Sequence, residues 1–248
     1  MLEHRDAAAE SLQLEINTTV QKSKKDCASI REERIGDLEY IDVTGNKYLK
    51  LKRIVDIVVS FVALCILLLP ILIIALVVYI DDPGKVIFTQ NRVGRYGTLF
   101  KLYKFRTMKY SAPKYMATND MHDADQYITG AGKILRKLSL DEIPQLINVL
   151  KGDMSLVGPR PLIAEEREIH EMRGRFGVYN ICPGVTGLAQ INGRDLVDAE
   201  HKLRWDIEYL KNISFWTDLK ILFITVPKIL THDGVEEGGT CESQETIE

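Results

Sequence analysis

The sequence predicts a mostly helical α+β fold with a re-entrant membrane helix hairpin, a compact domain and a short β-hairpin. Three observations predict it. Residues 57–80 form an apolar run of 24 residues that Pro70 interrupts. Two strand-like runs at 86–90 and 98–105 are separated by a stretch with two glycines, as in a hairpin. Helix-like patterns then follow at 132–138, 141–150, 162–173, 197–211 and 216–230.

The composition is that of a globular protein of one or two domains. Hydrophobic residues make up 46% and charged residues 27% of the 248 residues. These values exclude a disordered chain, a collagen-like fibre and a polytopic transporter. The four cysteines form no C-x-x-C pair and the five histidines show no metal-ligand spacing. The sequence therefore disfavours a zinc site or a disulfide framework and predicts a reducing compartment.

Charge divides the chain into four segments. Residues 1–46 carry six basic and ten acidic side chains, residues 47–80 four basic and one acidic, and residues 233–248 six acidic and none basic. We predict an acidic, mobile leader at 1–46, a membrane-associated re-entrant helix at 47–80, one domain at 81–232 and a disordered acidic tail at 233–248. The mildly basic middle suits lipid headgroups or a phosphorylated substrate and is too weak to favour nucleic acid.

The apolar run has features of a segment that enters the bilayer and returns. Pro70 lacks a backbone N–H and kinks a helix. Basic residues precede the run, from Lys47 to Arg53, and follow it, from Lys85 to Lys104. Since basic flanks stay in the cytoplasm, both ends are predicted there. A plain span and a buried core helix are the alternatives. The amphipathic segment 216–230 fits either the membrane interface or the domain's own core.

Four polar clusters lie in the second half of the chain, at 104–108, 136–145, 152–161 and 183–194. Asp141 and Glu142 stand in the second cluster, where Ser139-x-x-Glu142 matches a capping box at a helix start. A carboxylate at a helix start can also attack phosphorus, because free backbone N–H groups there bind the phosphoryl group. An adjacent carboxylate can hold Mg²⁺. The capping and the chemical interpretations are compatible.

Cations and glycines accompany these carboxylates. Arg160 stands between two prolines, which stiffen its backbone and favour a guanidinium fork on phosphate; a structural ion pair fits equally. Glycines flank Val185 and Thr186, where a phosphate-binding turn or a plain turn is expected. Further cations, each also compatible with a surface charge, are Lys104, Arg136 and Arg194. The sequence lacks the common motifs of nucleotide hydrolases, dehydrogenases and proteases.

Taken together, the clusters closely resemble the bacterial sugar transferase family, the monotopic phosphoglycosyl transferases. The resemblance covers about residues 50–230 and rests on KFRTM, LDEIPQLINVLKGDMSLVGPRP and PGVTGLAQINGR, in this order after a proline-broken apolar segment. It implies an enzyme of the bacterial inner (plasma) membrane with its catalytic domain on the cytoplasmic face. Such an enzyme moves a sugar 1-phosphate from a UDP-sugar to undecaprenyl phosphate, releases UMP, and starts exopolysaccharide, lipopolysaccharide or glycoconjugate synthesis.

The resemblance also implies roles for single residues. Asp141 becomes the nucleophile that forms an aspartyl–phosphosugar intermediate, and Asp141 and Glu142 hold Mg²⁺. Pro70 marks the membrane break, although the family often has Ser-Pro where this chain has Leu69 and Pro70. Residues implied in phosphate or substrate binding are Lys104, Arg136, Arg160, Arg194, Thr186 and Asp206.

Two other function classes remain open at the level of sequence. In a single-displacement transferase, Asp141 would only bind Mg²⁺ and no covalent intermediate would form. A membrane-tethered interaction protein would need none of the four clusters. The sequence does not identify the sugar, and a homo-oligomer is compatible with it.

Overall fold

The computed structural model describes residues 38–112, 124–192 and 199–231. The predicted tail and residues 1–37 of the predicted leader lie outside the described residues. The helices are α1 (Tyr48–Ile66), α2 (Leu68–Asp81), α3 (Gly130–Lys137), α4 (Gln145–Lys151), α5 (Arg167–Arg175), α6 (Leu188–Asn192), α7 (Ala199–Lys211) and α8 (Phe215–Thr231). The strands are β1 (Ile87–Val93), β2 (Leu99–Phe105), β3 (Ser155–Val157) and β4 (Gly184–Thr186). The predicted mostly helical α+β class is confirmed.

Helices α1 and α2 form one bent pair. They meet at Leu67 with a bend of 64°. The bend lies three residues ahead of Pro70, because the proline ring collides with the carbonyl four residues earlier, that of Ile66. Among the described residues no single helix is long and apolar enough to cross a membrane. The two helices of the bent pair, taken together, have the length and the apolar composition of a membrane segment.

The first half of α1 packs on the rest of the domain. Lys52 and Asp56 are buried on one face of the helix. The Lys52 ammonium lies 2.5 Å from a carboxylate oxygen of Asp218 in α8, and Asp56 accepts a hydrogen bond of 2.7 Å from the Ser155 hydroxyl. Arg53 donates to two carbonyls at the end of α4. The start of the helix pair is therefore tied to three elements of the domain.

The end of α2 returns to the same domain. The Asp81 carboxylate accepts a 2.8 Å hydrogen bond from the Ala131 amide at the start of α3. Val78 is buried against Phe105 and Leu135. Between the two attached ends, the pair exposes mainly large apolar side chains, among them Phe61, Val62, Ile66, Leu68, Leu69, Leu72 and Ile73.

Strands β1 and β2 form the predicted antiparallel hairpin. Their register runs from Ile87 opposite Phe105 to Val93 opposite Leu99. The strand predicted at 86–90 continues to Val93. The turn contains Tyr96 in the left-handed region, with φ of 57°.

Asn148 of α4 connects to β2 as a neighbouring strand would. Its side chain is fully buried; its amide nitrogen donates to the carbonyl of Lys101 at 2.7 Å, and its amide oxygen accepts from the Tyr103 N–H at 3.0 Å. One side chain thereby satisfies a backbone acceptor and a backbone donor of β2. It fixes α4 against the strand that carries Lys104.

A second, parallel sheet pairs β3 with β4, which the sequence analysis did not predict. The two segments approach so closely here that a Cβ on Gly184 would collide with the backbone nitrogen of Gly158. A strand of three residues is too short to show the alternation of apolar and polar residues from which a strand is predicted. This sheet brings the 152–161 and 183–194 clusters together.

Two helix predictions were wrong at their starts. The helix predicted at 162–173 begins only at Arg167, because residues 159–163 form a loop whose carbonyls bond to other elements. The helix predicted at 141–150 begins as a 3₁₀ turn, Leu140–Glu142, and α4 starts after Pro144. The amphipathic helix predicted at 216–230 is confirmed as α8.

Candidate active site

The two carboxylates of the second cluster lie in the 3₁₀ turn between α3 and α4. Ser139, which precedes the turn, has φ of 51° in the left-handed region and makes no capping hydrogen bond through its side chain. The predicted capping box is therefore wrong. The Glu142 side chain is directed to β2 instead, because a lysine ammonium there is a stronger partner for a carboxylate than a backbone N–H.

Lys104 of β2 joins the two carboxylates. Its ammonium lies 2.7 Å from Oε1 of Glu142 and 3.9 Å from Oδ2 of Asp141. The three residues come from two of the predicted clusters, since Lys104 of the first lies 37 positions before Asp141 of the second in the chain. The structure thus brings together three of the predicted site residues, Lys104, Asp141 and Glu142.

Asp141 is a poorly solvated carboxylate. The residue is 8% exposed. Burial raises the pKa of Asp141 to about 6; the positive charge of Lys104 lowers this pKa, the negative charge of Glu142 raises it, and Arg136 lowers it. At neutral pH the group is mainly ionised but has lost much of its water. That is the state expected of an activated carboxylate nucleophile.

Of the two predicted arginines, Arg136 lies near the carboxylates and acts on the pKa of Asp141. The Nε of Arg136 donates to the Thr107 hydroxyl at 2.9 Å, which holds the guanidinium at the end of α3. Arg160 lies close enough to Arg92 of β1 to lower the pKa of Arg92, which is about 10, chiefly because of burial. Glu142 acts on the same arginine in the opposite direction. Arg92 therefore interacts electrostatically both with Glu142 of the site and with Arg160.

The remaining predicted residues lie elsewhere. Asp206 in α7 is 2% exposed and forms an ion pair with Arg173 of α5 at 2.6 Å. The hydroxyl of Thr186 lies 2.8 Å from that of Thr225 in α8. The structure gives both side chains protein partners, and their contact with substrate stays a prediction. Arg194 lies outside the described residues.

Comparison with known proteins identifies the family of this chain. The family model "Bacterial sugar transferase" matches residues 47–232. The chain belongs to the bacterial sugar transferase family. The predicted family and the predicted class of enzyme are thereby confirmed.

Relatives of this sugar transferase differ in length. It is 42% identical to the uncharacterized sugar transferase EpsL of Bacillus subtilis over 75% of the chain and 91% of that protein. It is 40% identical to the undecaprenyl-phosphate galactose phosphotransferase of Salmonella typhimurium over 74% of the chain, but 41% of that protein. For the UDP-glucose:undecaprenyl-phosphate glucose-1-phosphate transferase of Escherichia coli, the identity is 40% over 72% of the chain and 40% of that protein. The chain spans less than half the length of the last two.

The two adjacent carboxylates of the sugar transferase are of the ligand type that Mg²⁺ prefers. In the described ranges no cluster of three or more His, Cys, Asp or Glu side chains could hold a metal. Mg²⁺, however, is usually bound by one or two carboxylates together with substrate phosphates and water. Asp141 and Glu142 offer that donor set, so they suit an ion that arrives with, or is completed by, a phosphorylated substrate.

Sequence reasoning missed three residues of this region, Arg92, Asn148 and Arg173. None of them carries a signal in the sequence that separates it from other polar residues. Arg173 in particular stands in a helix with several charged neighbours, and only its burial reveals a distinct role.

Proposed function

We propose that this sugar transferase moves a sugar 1-phosphate from a UDP-sugar to undecaprenyl phosphate through an aspartyl intermediate and releases UMP. The observation that carries the proposal is the buried Asp141 carboxylate, with its raised pKa, beside Glu142 and Lys104. The Salmonella and Escherichia relatives are named for the transfer of a sugar phosphate to undecaprenyl phosphate, which supports the transfer part of this proposal. The product would start the synthesis of a surface polysaccharide or glycoconjugate.

The reaction proceeds in two displacements at one phosphorus atom. A carboxylate oxygen of Asp141 attacks the phosphorus that bears the sugar, and the bond from that phosphorus to the UMP oxygen breaks, so that UMP leaves with the electron pair. An oxygen of undecaprenyl phosphate then attacks the same phosphorus. The bond to Asp141 breaks and the carboxylate is restored. Each step exchanges one P–O bond for another.

Neighbouring residues prepare this chemistry. Desolvation makes the Asp141 carboxylate reactive, and Lys104 keeps it ionised. Arg136 and Arg160 bind phosphate oxygens, Arg160 by the fork of its guanidinium. When bound by Asp141 and Glu142, Mg²⁺ would neutralise charge on the diphosphate.

The bent helix pair suits the re-entrant topology. Its two ends, at Lys52 and Asp81, contact one and the same domain, which supports placing both ends on the cytoplasmic side. The exposed apolar middle would enter one leaflet. On α8, Trp216 and Phe223 are seven residues apart and 74% and 70% exposed, which supports contact of this helix with the same membrane surface. Both phosphates would then meet Asp141 at the interface.

An assay of UMP release tests the function. Purified protein in detergent or nanodiscs is supplied with undecaprenyl phosphate, Mg²⁺ and one UDP-sugar at a time, with Asp141→Asn as control. We expect release with at least one UDP-sugar and none with the variant. No release with any sugar would contradict the function. Release that strictly requires both substrates together would favour a single displacement.

A further inference from the structure

The loop that carries Arg160 is held by its carbonyl groups. Pro159 and Pro161 have no N–H to donate. Five consecutive carbonyls in the loop each accept a hydrogen bond from another element: Pro159 from the Gly184 amide at 2.9 Å, Arg160 from Arg173 at 2.8 Å, Pro161 from Arg92 at 3.3 Å, Leu162 from the Val93 amide at 3.0 Å, and Ile163 from His170 at 2.7 Å. The backbone on both sides of Arg160 is therefore fixed.

Arg173 makes the contact at Arg160 itself. Its NH1 donates to the Arg160 carbonyl, while Nε and NH2 donate to one oxygen of Asp206 at 2.9 and 2.6 Å. The side chains of Arg173 and Asp206 are 3% and 2% exposed. A single guanidinium thus connects the loop to α7, and Asp206 fixes the plane of that guanidinium.

A buried ion pair between two helices adds little net free energy of folding. The desolvation of both charges offsets much of their attraction, and apolar residues of similar volume often give equal stability. What an ion pair adds is direction, because the planar fork of arginine fixes the position of each acceptor. Here the additional acceptor is the backbone of the residue proposed to bind phosphate.

We infer that Arg173 and Asp206 are a positioning pair for Arg160, and that Asp206 acts through Arg173 without touching the substrate. The inference rests on the proposed function, in which Arg160 binds phosphate. It assigns a role to Arg173 and replaces direct substrate binding as the expected role of Asp206.

Arg173→Lys separates positioning from plain stability. The ammonium can still pair with Asp206, but it cannot donate to the Arg160 carbonyl in the same fork. A displacement of about 1 Å at a reacting centre can cost about 100-fold in rate. We expect kcat/KM for the UDP-sugar to fall about 10- to 100-fold. Arg175→Lys, an exposed arginine on the same helix, is the matched control and should retain wild-type activity.

A double-mutant cycle decides whether Arg173 acts through Arg160. In an Arg160→Lys background, adding Arg173→Lys should cost less than about threefold more, because the fork to be positioned is already gone. Losses that multiply would overturn the inference. Asp206→Asn is the second variant. It should lower kcat/KM as much as Arg173→Lys does in the wild-type background. In the Arg160→Lys background it should likewise cost less than about threefold. A loss that persists there would show that Asp206 contacts the substrate.

Hydrogen exchange gives a readout that does not need turnover. Arg173→Lys should speed exchange at amides of the 158–166 loop, while the amides of β2 and α4 stay protected as in wild type. Unchanged exchange in the loop would overturn the inference. If the wild-type protein releases UMP from no UDP-sugar, the proposed function fails, and the exchange data still decide whether Arg173 holds the loop.

Discussion

The ammonium of Lys104 lies 3.9 Å from the carboxylate of Asp141, on the strand that faces the 3₁₀ turn. Two opposing effects meet at this contact. Burial disfavours the ionised carboxylate and raises its pKa to about 6, whereas the lysine charge favours ionisation. Burial is the larger effect, so the folded protein holds Asp141 in a state that costs stability. The stability of the protein and the pH dependence of its activity should both follow this balance.

Asp141→Asn should stabilise the protein while it abolishes activity. The folded pKa lies above the ordinary value of 3.8, so the destabilisation is present above about pH 6 and is lost as the pH falls toward 3.8. The amide removes the buried charge and keeps the shape. We expect about 1–3 kcal/mol more stability at pH 8 and little change at pH 4. Urea unfolding at the two pH values checks this. A variant less stable than wild type at pH 8 would contradict the desolvation argument.

The pH dependence of activity should follow Asp141. Since the nucleophile must be ionised, kcat/KM should fall as the pH drops through about 6. Lys104→Met removes the cation that favours ionisation, and we expect the midpoint to move to higher pH. Lys101→Met, on the same strand with an exposed side chain, is the control and should keep the wild-type midpoint. An unshifted midpoint in Lys104→Met would mean that another group titrates.

Parts of this site could be predicted from the sequence and parts could not. The bend that Pro70 causes at Leu67 follows from a local rule, the collision of the proline ring with an earlier carbonyl. The β-hairpin follows from two glycines between strand-like runs. The prediction of a capping box at Ser139 was wrong, although the sequence pattern is present. The competing partner of Glu142 was Lys104, which the local pattern does not include.

Ser139 gives a further prediction, because its backbone is left-handed at φ of 51°. Glycine adopts this conformation without steric cost, whereas a β-branched side chain does not. Ser139→Gly should keep activity and change stability by less than about 1 kcal/mol. Ser139→Val should lose about 1–3 kcal/mol and much activity, since the turn that holds Asp141 must shift. Thermal unfolding and UMP release measure both; equal behaviour of the two variants would contradict the strain argument.

Contacts between distant segments explain what sequence reasoning missed. Asn148 contacts β2 some 45 positions earlier in the chain, and Arg173 contacts Asp206 33 positions later. No local period marks such residues. The β3–β4 sheet was not predicted for the same reason, because its two strands are short and lie together only in the folded chain.

Asn148→Leu should be strongly destabilising. It leaves the Lys101 carbonyl and the Tyr103 N–H without the partner that the fully buried Asn148 side chain provides. We expect a loss of about 2–5 kcal/mol in urea unfolding, since each buried unpaired group costs about 1–3 kcal/mol. Asn212→Leu is the control: its amide bonds one carbonyl at the exposed end of α7, and its loss should stay below about 1 kcal/mol. Equal losses of stability in the two variants would contradict the claim that the hydrogen bonds of Asn148 to β2 stabilise the fold.

The re-entrant topology is tested by cysteine labelling in intact cells. In a background without native cysteines, single cysteines replace Gly45, ahead of α1, and Asn212, after α7. Both should be shielded from a membrane-impermeant thiol reagent and become labelled once the cells are opened. Labelling of only one position in intact cells would establish a span and contradict the hairpin.

The central claim is that Asp141 forms a covalent bond to the phosphosugar, and intact-protein mass spectrometry tests it most directly. The protein is incubated with Mg²⁺ and a UDP-sugar that supports turnover, without undecaprenyl phosphate, and is then quenched in acid. We predict one added sugar phosphate per chain, about one equivalent of UMP, loss of the adduct when undecaprenyl phosphate is supplied, and no adduct on Asp141→Asn. An active enzyme that shows neither adduct nor UMP before the lipid is added would contradict the account.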